Sequence, residues 1–155
     1  MSTKTIPNKA RAVIVGGGAS GCSVAYHLAK IGWKDIVLLE RKHLTRGPTW
    51  HAAGLIGQLR PNQNMTRLAK YSAELYVKLE EETGLSTGMK QNGSITVALT
   101  EARKEEIYRQ ASLARAFDVD VNEISAEEAL AMYPHLNIDG VHAAVHLPLD
   151  GQCDP

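Results

Sequence analysis

An α/β fold class, opening on a parallel βαβ unit, is predicted by three features of the 155-residue sequence. Ala12-Val13-Ile14-Val15 is a short, continuously apolar, β-branched run of the kind a strand buried on both faces requires. Gly16-Gly17-Gly18-Ala19-Ser20-Gly21 follows at once, a tight glycine-rich turn that leads into a helical pattern through Ile31. A second buried-type run, Asp35 to Glu40, completes the strand–helix–strand order, and the second strand is expected parallel to the first.

The remaining elements follow in chain order. In the first helix Cys22, Ala25, Leu28 and Ala29 share a face at helical spacing, and Gly32 stands where a C-terminal cap belongs. From Arg41 to Asn64 the pattern lapses into a Gly/Pro-punctuated connection longer than most inside a compact domain, and such loops are usually functional or disordered. Small residues flank one aromatic and one titratable side chain in its middle, Thr49-Trp50-His51-Ala52-Ala53-Gly54-Leu55, which favours function over disorder. Met65 to Thr83 predicts an amphipathic helix with Met65, Leu68, Ser72, Leu75, Tyr76 and Leu79 on one stripe and Gly84 as its cap. Its Glu80-Glu81-Glu82 triplet reads as a solvated face. Ser94 to Leu99 alternates as a strand does, and Thr100 supplies an N-cap for a charged helix ending near Phe117. Ser125 with Glu128 matches a capping box, and Val141 to Leu147 predicts a last strand, interrupted by Pro148. The closing Asp150-Gly151-Gln152-Cys153-Asp154-Pro155 reads as a connection leading into something further, so the chain is expected to be a fragment of a longer protein.

Composition excludes several classes. Basic and acidic side chains balance at 17 each, and no Lys/Arg cluster exceeds a pair, so the charge footprint of a nucleic-acid binder is missing. A hydrophobic content of 44% is enough for a core and argues against wholesale disorder. Cys22 and Cys153 are the two cysteines, neither in a CxxC pair, and His27, His135, His142 and His146 lack metal-ligand spacing, so neither a disulfide framework nor a metal site is expected. Residues 1–10 show no signal-peptide core and no stretch reaches membrane-spanning length, which makes the cytoplasm the expected compartment.

The sharpest chemical signal is Gly16-x-Gly18-x-x-Gly21 between a predicted strand and helix, with an acid at the end of the next strand. Gly16 permits the tight turn, Gly18 lets a diphosphate approach the backbone, and Gly21 lets helix and strand pack closely. The N–H groups around Ala19, Ser20 and Gly21 then face the phosphates. Glu40, nineteen residues after Gly21, is placed to accept hydrogen bonds from ribose hydroxyls, and its carboxylate argues against the 2′-phosphate of NADP. Arg41 either leans on the adenine or a phosphate or stays a solvated cation. The motif alone leaves FAD and NAD both open. His51 by pattern alone reads first as an ordinary hydrogen-bonded loop histidine, although a neutral imidazole is also a competent nucleophile near pH 7.

The run AVIVGGGASGCSVAYHLAKIGWKDIVLLER, followed by GPTWHAAGL, YVKLEEETG and NGSITVA, resembles the amino-terminal part of the dimethylglycine and sarcosine dehydrogenases, within the D-amino-acid-oxidase-like FAD superfamily. The likeness runs from about Arg11 to Pro155, and the Trp-His-Ala-Ala-Gly segment is its most specific part. The resemblance implies an FAD-binding domain over residues 1–87 and the beginning of a mixed α+β substrate-binding domain over 88–155. It implies FAD as cofactor, contacted by Gly16, Gly18, Ala19, Ser20, Gly21, Glu40, Arg41, Thr49, His51, Ala52, Ala53 and Leu55. It further implies His51 as a covalent tether to the flavin 8α-methyl group and leaves the catalytic list otherwise empty.

The activity it implies is oxidative demethylation of an N-methylated glycine, with hydride leaving the N-methyl carbon for flavin N5. The electron acceptor is left unspecified, and tetrahydrofolate belongs to the longer protein only. An isolated 155-residue chain is expected to show no turnover and to bind FAD weakly. Alternatives are an oxygen-using amine oxidase of the same superfamily, an NAD-dependent dehydrogenase in which His51 has no special role, and a non-catalytic truncated product. One departure stands out: Arg46-Gly47-Pro48-Thr49 replaces the Ser/Thr-rich lead into Trp-His, and proline removes an N–H there.

Overall fold

A computed structural model describes residues 7–155 and divides the chain into two compact units, one ending at Ala53 and the other spanning Gly54 to Asp154. Residues 1–6 of the amino-terminal stretch read for a leader lie outside the described residues.

In the first unit β1 (Ala12–Val15) and β2 (Ile36–Leu39) pair in parallel, Ala12 opposite Ile36 through Val15 opposite Leu39, with α1 (Ala19–Lys30) as the crossover. Parallel neighbours need such a crossover because a hairpin turn cannot return the chain to the same end of the sheet. The helix ends as expected, with Gly32 at φ +84° and its N–H donating to the Ala29 carbonyl at 2.9 Å. Cys22, Ala25 and Leu28 are half-buried on the expected face, whereas Ala29, in the last turn, is exposed. The strand read as buried on both faces is covered on one. Ala12 and Ile14 are half-buried, while Val13 and Val15 remain 57% and 84% exposed, because α1 is the one α-helix among the described residues of this unit.

The second unit is built on an antiparallel sheet in the order β4 (Ser94–Ala98), β6 (Ala143–Leu147), β5 (Asn122–Ile124). Helix α3 (Glu101–Ala116) packs Ile107, Ala111 and Ala114 against Ala98, Val145 and Leu147, and these residues form the buried core with Val119 and Ala143. Alanine at the contact positions lets a helix read mainly as charged lie close to the sheet. The predicted caps are present. The Thr100 hydroxyl accepts from the Arg103 N–H at 3.2 Å. Ser125 and Glu128 close a reciprocal capping box at the start of α4 (Ala126–Met132).

Three expectations change. Helix α2 (Gln63–Thr83) starts two residues early, where the Asn62 side chain accepts from the Met65 N–H at 3.0 Å, and it ends on Gly84 at φ +73°. Its buried positions are Thr66 and Ala73, while Met65 and Leu68 of the predicted stripe are 52% and 66% exposed. Thr66 tolerates burial because its hydroxyl accepts from the Arg60 N–H and donates to the Arg60 carbonyl. The Asp150–Pro155 stretch holds a strand of its own. Here β7 (Gly151–Gln152) pairs antiparallel with β3 (Leu55–Ile56), and both, like β5, are too short or too polar to carry a periodicity.

Asp150 holds this second sheet to the first within the unit. It is 7% exposed, and its carboxylate accepts from the Gln58 N–H at 2.8 Å and the Ser94 hydroxyl at 2.7 Å. Asp150→Ala strands both donors and is expected to cost about 2–4 kcal/mol, read as a lower urea midpoint. An unchanged midpoint would show that other contacts hold the junction.

Candidate functional site

The site in the first unit starts with the turn between β1 and α1. Gly16 stands at φ +104° and donates its N–H to the Leu39 carbonyl at 2.8 Å, so the backbone conformation itself calls for glycine. A Cβ on Gly21 would lie 1.9 Å from the Gly16 carbonyl oxygen, which leaves no side chain possible without opening the turn. A Cβ on Gly18 would stand 3.0 Å from the Thr49 hydroxyl.

These constraints present the start of α1 as an anion cradle. No acid occupies its first turn, and its N-cap Gly18 has no capping side chain. The Ala19 N–H donates to the Thr49 hydroxyl at 3.0 Å, while the N–H groups of Ser20 and Gly21 have no protein acceptor among the described residues. Unpaired amides at the positive end of a helix dipole suit a phosphate group.

Glu40 lies beside the same turn. Its carboxylate accepts from the Gly17 N–H and the Lys42 N–H, each at 2.8 Å and each on a different oxygen. Every carboxylate oxygen has a further lone pair, so capacity remains for two ribose hydroxyls. The Gly17 N–H first, and the Lys42 N–H next, hold this carboxyl below its ordinary value of 4.5. Because the folded value is the lower one, the stabilisation is fully present above the ordinary value and is lost as pH falls through the folded value. Glu40→Gln places an amide donor against an N–H and is expected to weaken adenosine-dinucleotide binding roughly tenfold and to remove this acid-limb loss of stability. Urea midpoints and binding titrations at several pH values check it; identical acid limbs in the two proteins would contradict the role.

The long connection is ordered around this turn. The Thr45 N–H donates to the Gly17 carbonyl at 2.8 Å, and Thr45 stands at φ +64°, an unusual conformation for a β-branched residue. Leu44 closes over Gly17, where an added Cβ would meet its Cδ2 at 2.6 Å. Pro48 opens a 3-10 turn, Pro48–His51, at the first position, where a missing N–H leaves no bond unmade. Pro48 therefore costs this turn no hydrogen bond of its own. His51 is exposed, with its ring 4.1 Å from that of Trp50 at a tilt of 36°, and the Ala52 N–H closes the turn on the Thr49 carbonyl at 3.1 Å.

Of the residues expected to line a cofactor site, Gly16, Gly18, Ala19, Ser20, Gly21, Glu40 and Thr49 meet at the turn. His51 follows on the Thr49 segment, and Arg41, Ala52 and Ala53 are exposed next to these anchored positions. Leu55 belongs to the second unit, in β3, where it is 75% exposed. Sequence reading missed Gly17, Leu44 and Thr45. The need of a strand-end carboxylate for an N–H partner points to Gly17, whereas no spacing rule marks the other two.

Other candidates resolve into ordinary contacts. His27 bonds within α1 to Ser23, and His142 pairs with Glu101 at 2.7 Å. Among the described residues no group of His, Cys, Asp and Glu side chains has the arrangement of a metal site, and no helix is long and apolar enough to cross a membrane.

Residues 11–155 match the family of FAD dependent oxidoreductases. The chain is 42% identical to human mitochondrial sarcosine dehydrogenase over 154 residues, covering 99% of the chain and 17% of that enzyme. It is 45% identical to human mitochondrial dimethylglycine dehydrogenase over 148 residues, covering 96% of the chain and 17% of the relative. The crystal structure of L-proline dehydrogenase from P. horikoshii superposes with a TM-score of 0.89 at 32% identity, over 97% of the chain and 39% of that structure. The chain thus spans about one sixth of the length of these two curated relatives.

Proposed function

Because the chain belongs to the FAD-dependent oxidoreductase family, we propose that it carries the amino-terminal part of the FAD site of an enzyme that demethylates an N-methylated glycine, dimethylglycine or sarcosine. The observation that carries this reading is the anchoring of the Thr49-Trp50-His51 segment on the glycine turn, through the Ala19–Thr49 and Thr45–Gly17 hydrogen bonds. Residues 1–87 then serve the cofactor and residues 88–155 begin the substrate-binding portion.

The roles follow from the contacts. The amides of Ser20 and Gly21 hold diphosphate oxygens, Glu40 accepts from the adenosine ribose, and Ala52 and Ala53 leave room for a flat ring beside the backbone. Trp50 covers one apolar surface of that ring and orients the imidazole of His51. When bound, FAD would supply the hydride-accepting chemistry for oxidation at the N-methyl carbon of the amine. His51 would hold the flavin covalently, its exposed imidazole being the group offered to the 8α-methyl position.

The test is anaerobic addition of dimethylglycine or sarcosine to the longest gene product containing this chain. Loss of oxidised-flavin absorbance with either amine is expected. Bleaching by L-proline with neither methylated glycine active would contradict the substrate class.

A further inference from the structure

We infer that Thr49 is a positioning residue, a hydroxyl latch that couples the diphosphate cradle to the placement of His51; this rests on the tether reading above. Four observations combine. The Thr49 hydroxyl takes the first amide of α1, Ala19 N–H, at 3.0 Å, across 30 residues of sequence. It stands so close to Gly18 that a Cβ there would approach within 3.0 Å, so the glycine turn leaves room for this hydroxyl as well as for a phosphate. Thr49 and His51 occupy one 3-10 turn, closed by the Ala52 N–H on the Thr49 carbonyl at 3.1 Å. Pro48 fixes the backbone immediately before Thr49, which limits the directions in which the turn can swing.

A threonine hydroxyl has one proton to donate and two lone pairs to accept with. In accepting from Ala19 it uses one lone pair, and its proton has no protein acceptor among the described residues. A diphosphate oxygen seated on the neighbouring amides is the natural acceptor for that proton. Binding of the phosphates then tightens the hold on a turn whose far end carries His51, two residues away. Occupancy of one end of the dinucleotide thereby sets the imidazole for the ring at the other end. The gain is orientational, since a small misplacement of a reacting group lowers the rate of bond formation steeply.

The experiment compares Thr49→Val, which keeps shape and removes the hydroxyl, with Thr49→Ser, which restores it. FAD is added to the apo form of the longest gene product, and acid-stable flavin is followed in time at rising FAD concentration. The expected result for Thr49→Val is a first-order rate of attachment at saturating FAD roughly ten- to a hundredfold lower, with Thr49→Ser near the parent value. Amide hydrogen exchange in residues 48–53 without FAD is expected to quicken in the valine variant and not in the serine one. A change confined to the half-saturating FAD concentration overturns the latch and leaves Thr49 a simple phosphate ligand, with the tether reading intact. A parent protein that never acquires acid-stable flavin overturns the tether and the latch together.

Discussion

In a His51→Ala variant of the longest gene product, acid releases all of the flavin, where the parent protein retains it. The expected contrast is all-or-none because a covalent bond survives precipitation and a set of hydrogen bonds does not. Folding is not at risk, since His51 is exposed and, among the described residues, its ring contact is with the neighbouring Trp50. Free FAD should still bind the variant through the glycine turn, so yellow colour before acid treatment and none in the pellet afterwards is the full prediction. Flavin remaining in the acid pellet of His51→Ala would assign the tether to another residue. If His51 is the tether, its exposed position gives the pinning of the loop at Thr45 and Thr49 a use, since an unheld imidazole on a long connection would sample many orientations.

Gly21→Ala is expected to weaken dinucleotide binding at least roughly a hundredfold, equivalent to about 3 kcal/mol, because the added methyl has no space. Its Cβ would lie 1.9 Å from the Gly16 carbonyl oxygen, with the Gly16 carbonyl carbon at 3.1 Å and Ile14 at 3.5 Å. The obstruction is backbone, not the movable end of a side chain, so relief requires α1 to shift away from β1. Such a shift displaces the unpaired amides of Ser20 and Gly21, the groups proposed to hold the phosphates. Gly16→Ala offers the informative contrast. Nothing lies within 4 Å of a Cβ at that position, so the cost is the strain of φ +104°, of order 1–3 kcal/mol, without collision. Isothermal titration with FAD, alongside thermal unfolding, separates the two. Equal losses from both substitutions would contradict the packing argument for Gly21.

Much of the fold of the first unit was legible because its signals are local. β1, the turn, α1 and β2 are consecutive, and the apolar runs, glycine spacing and strand-end acid each constrain the others. Helix caps at Asn62, Thr100 and Ser125 are equally local, although only the last two were read, because Asn62 sits inside a stretch that looks like loop. What escaped was non-local. β3 and β7 are two residues each and pair across nearly the whole second unit, so neither carries a pattern that identifies it alone. The burial of Thr66 in place of Met65 and Leu68 depends on an Arg60 backbone partner that hydrophobic periodicity does not see. Within the site, Gly16, Gly21 and Glu40 were legible from spacing, whereas the lacing of residues 44–49 onto the turn depends on hydrogen bonds of single hydroxyl and amide groups.

The amides at the start of α1 and the carboxylate of Glu40 are the proposed seat of the adenosine diphosphate. The most direct measurement is a titration of the isotope-labelled 155-residue chain with ADP, the half of the cofactor that these groups alone would recognise, followed by amide chemical shifts. Saturable shifts concentrated at residues 16–21 and 40–42, and reduced in Glu40→Gln, are the predicted result. Shifts confined to residues 54–154, with the glycine turn unperturbed, would contradict it.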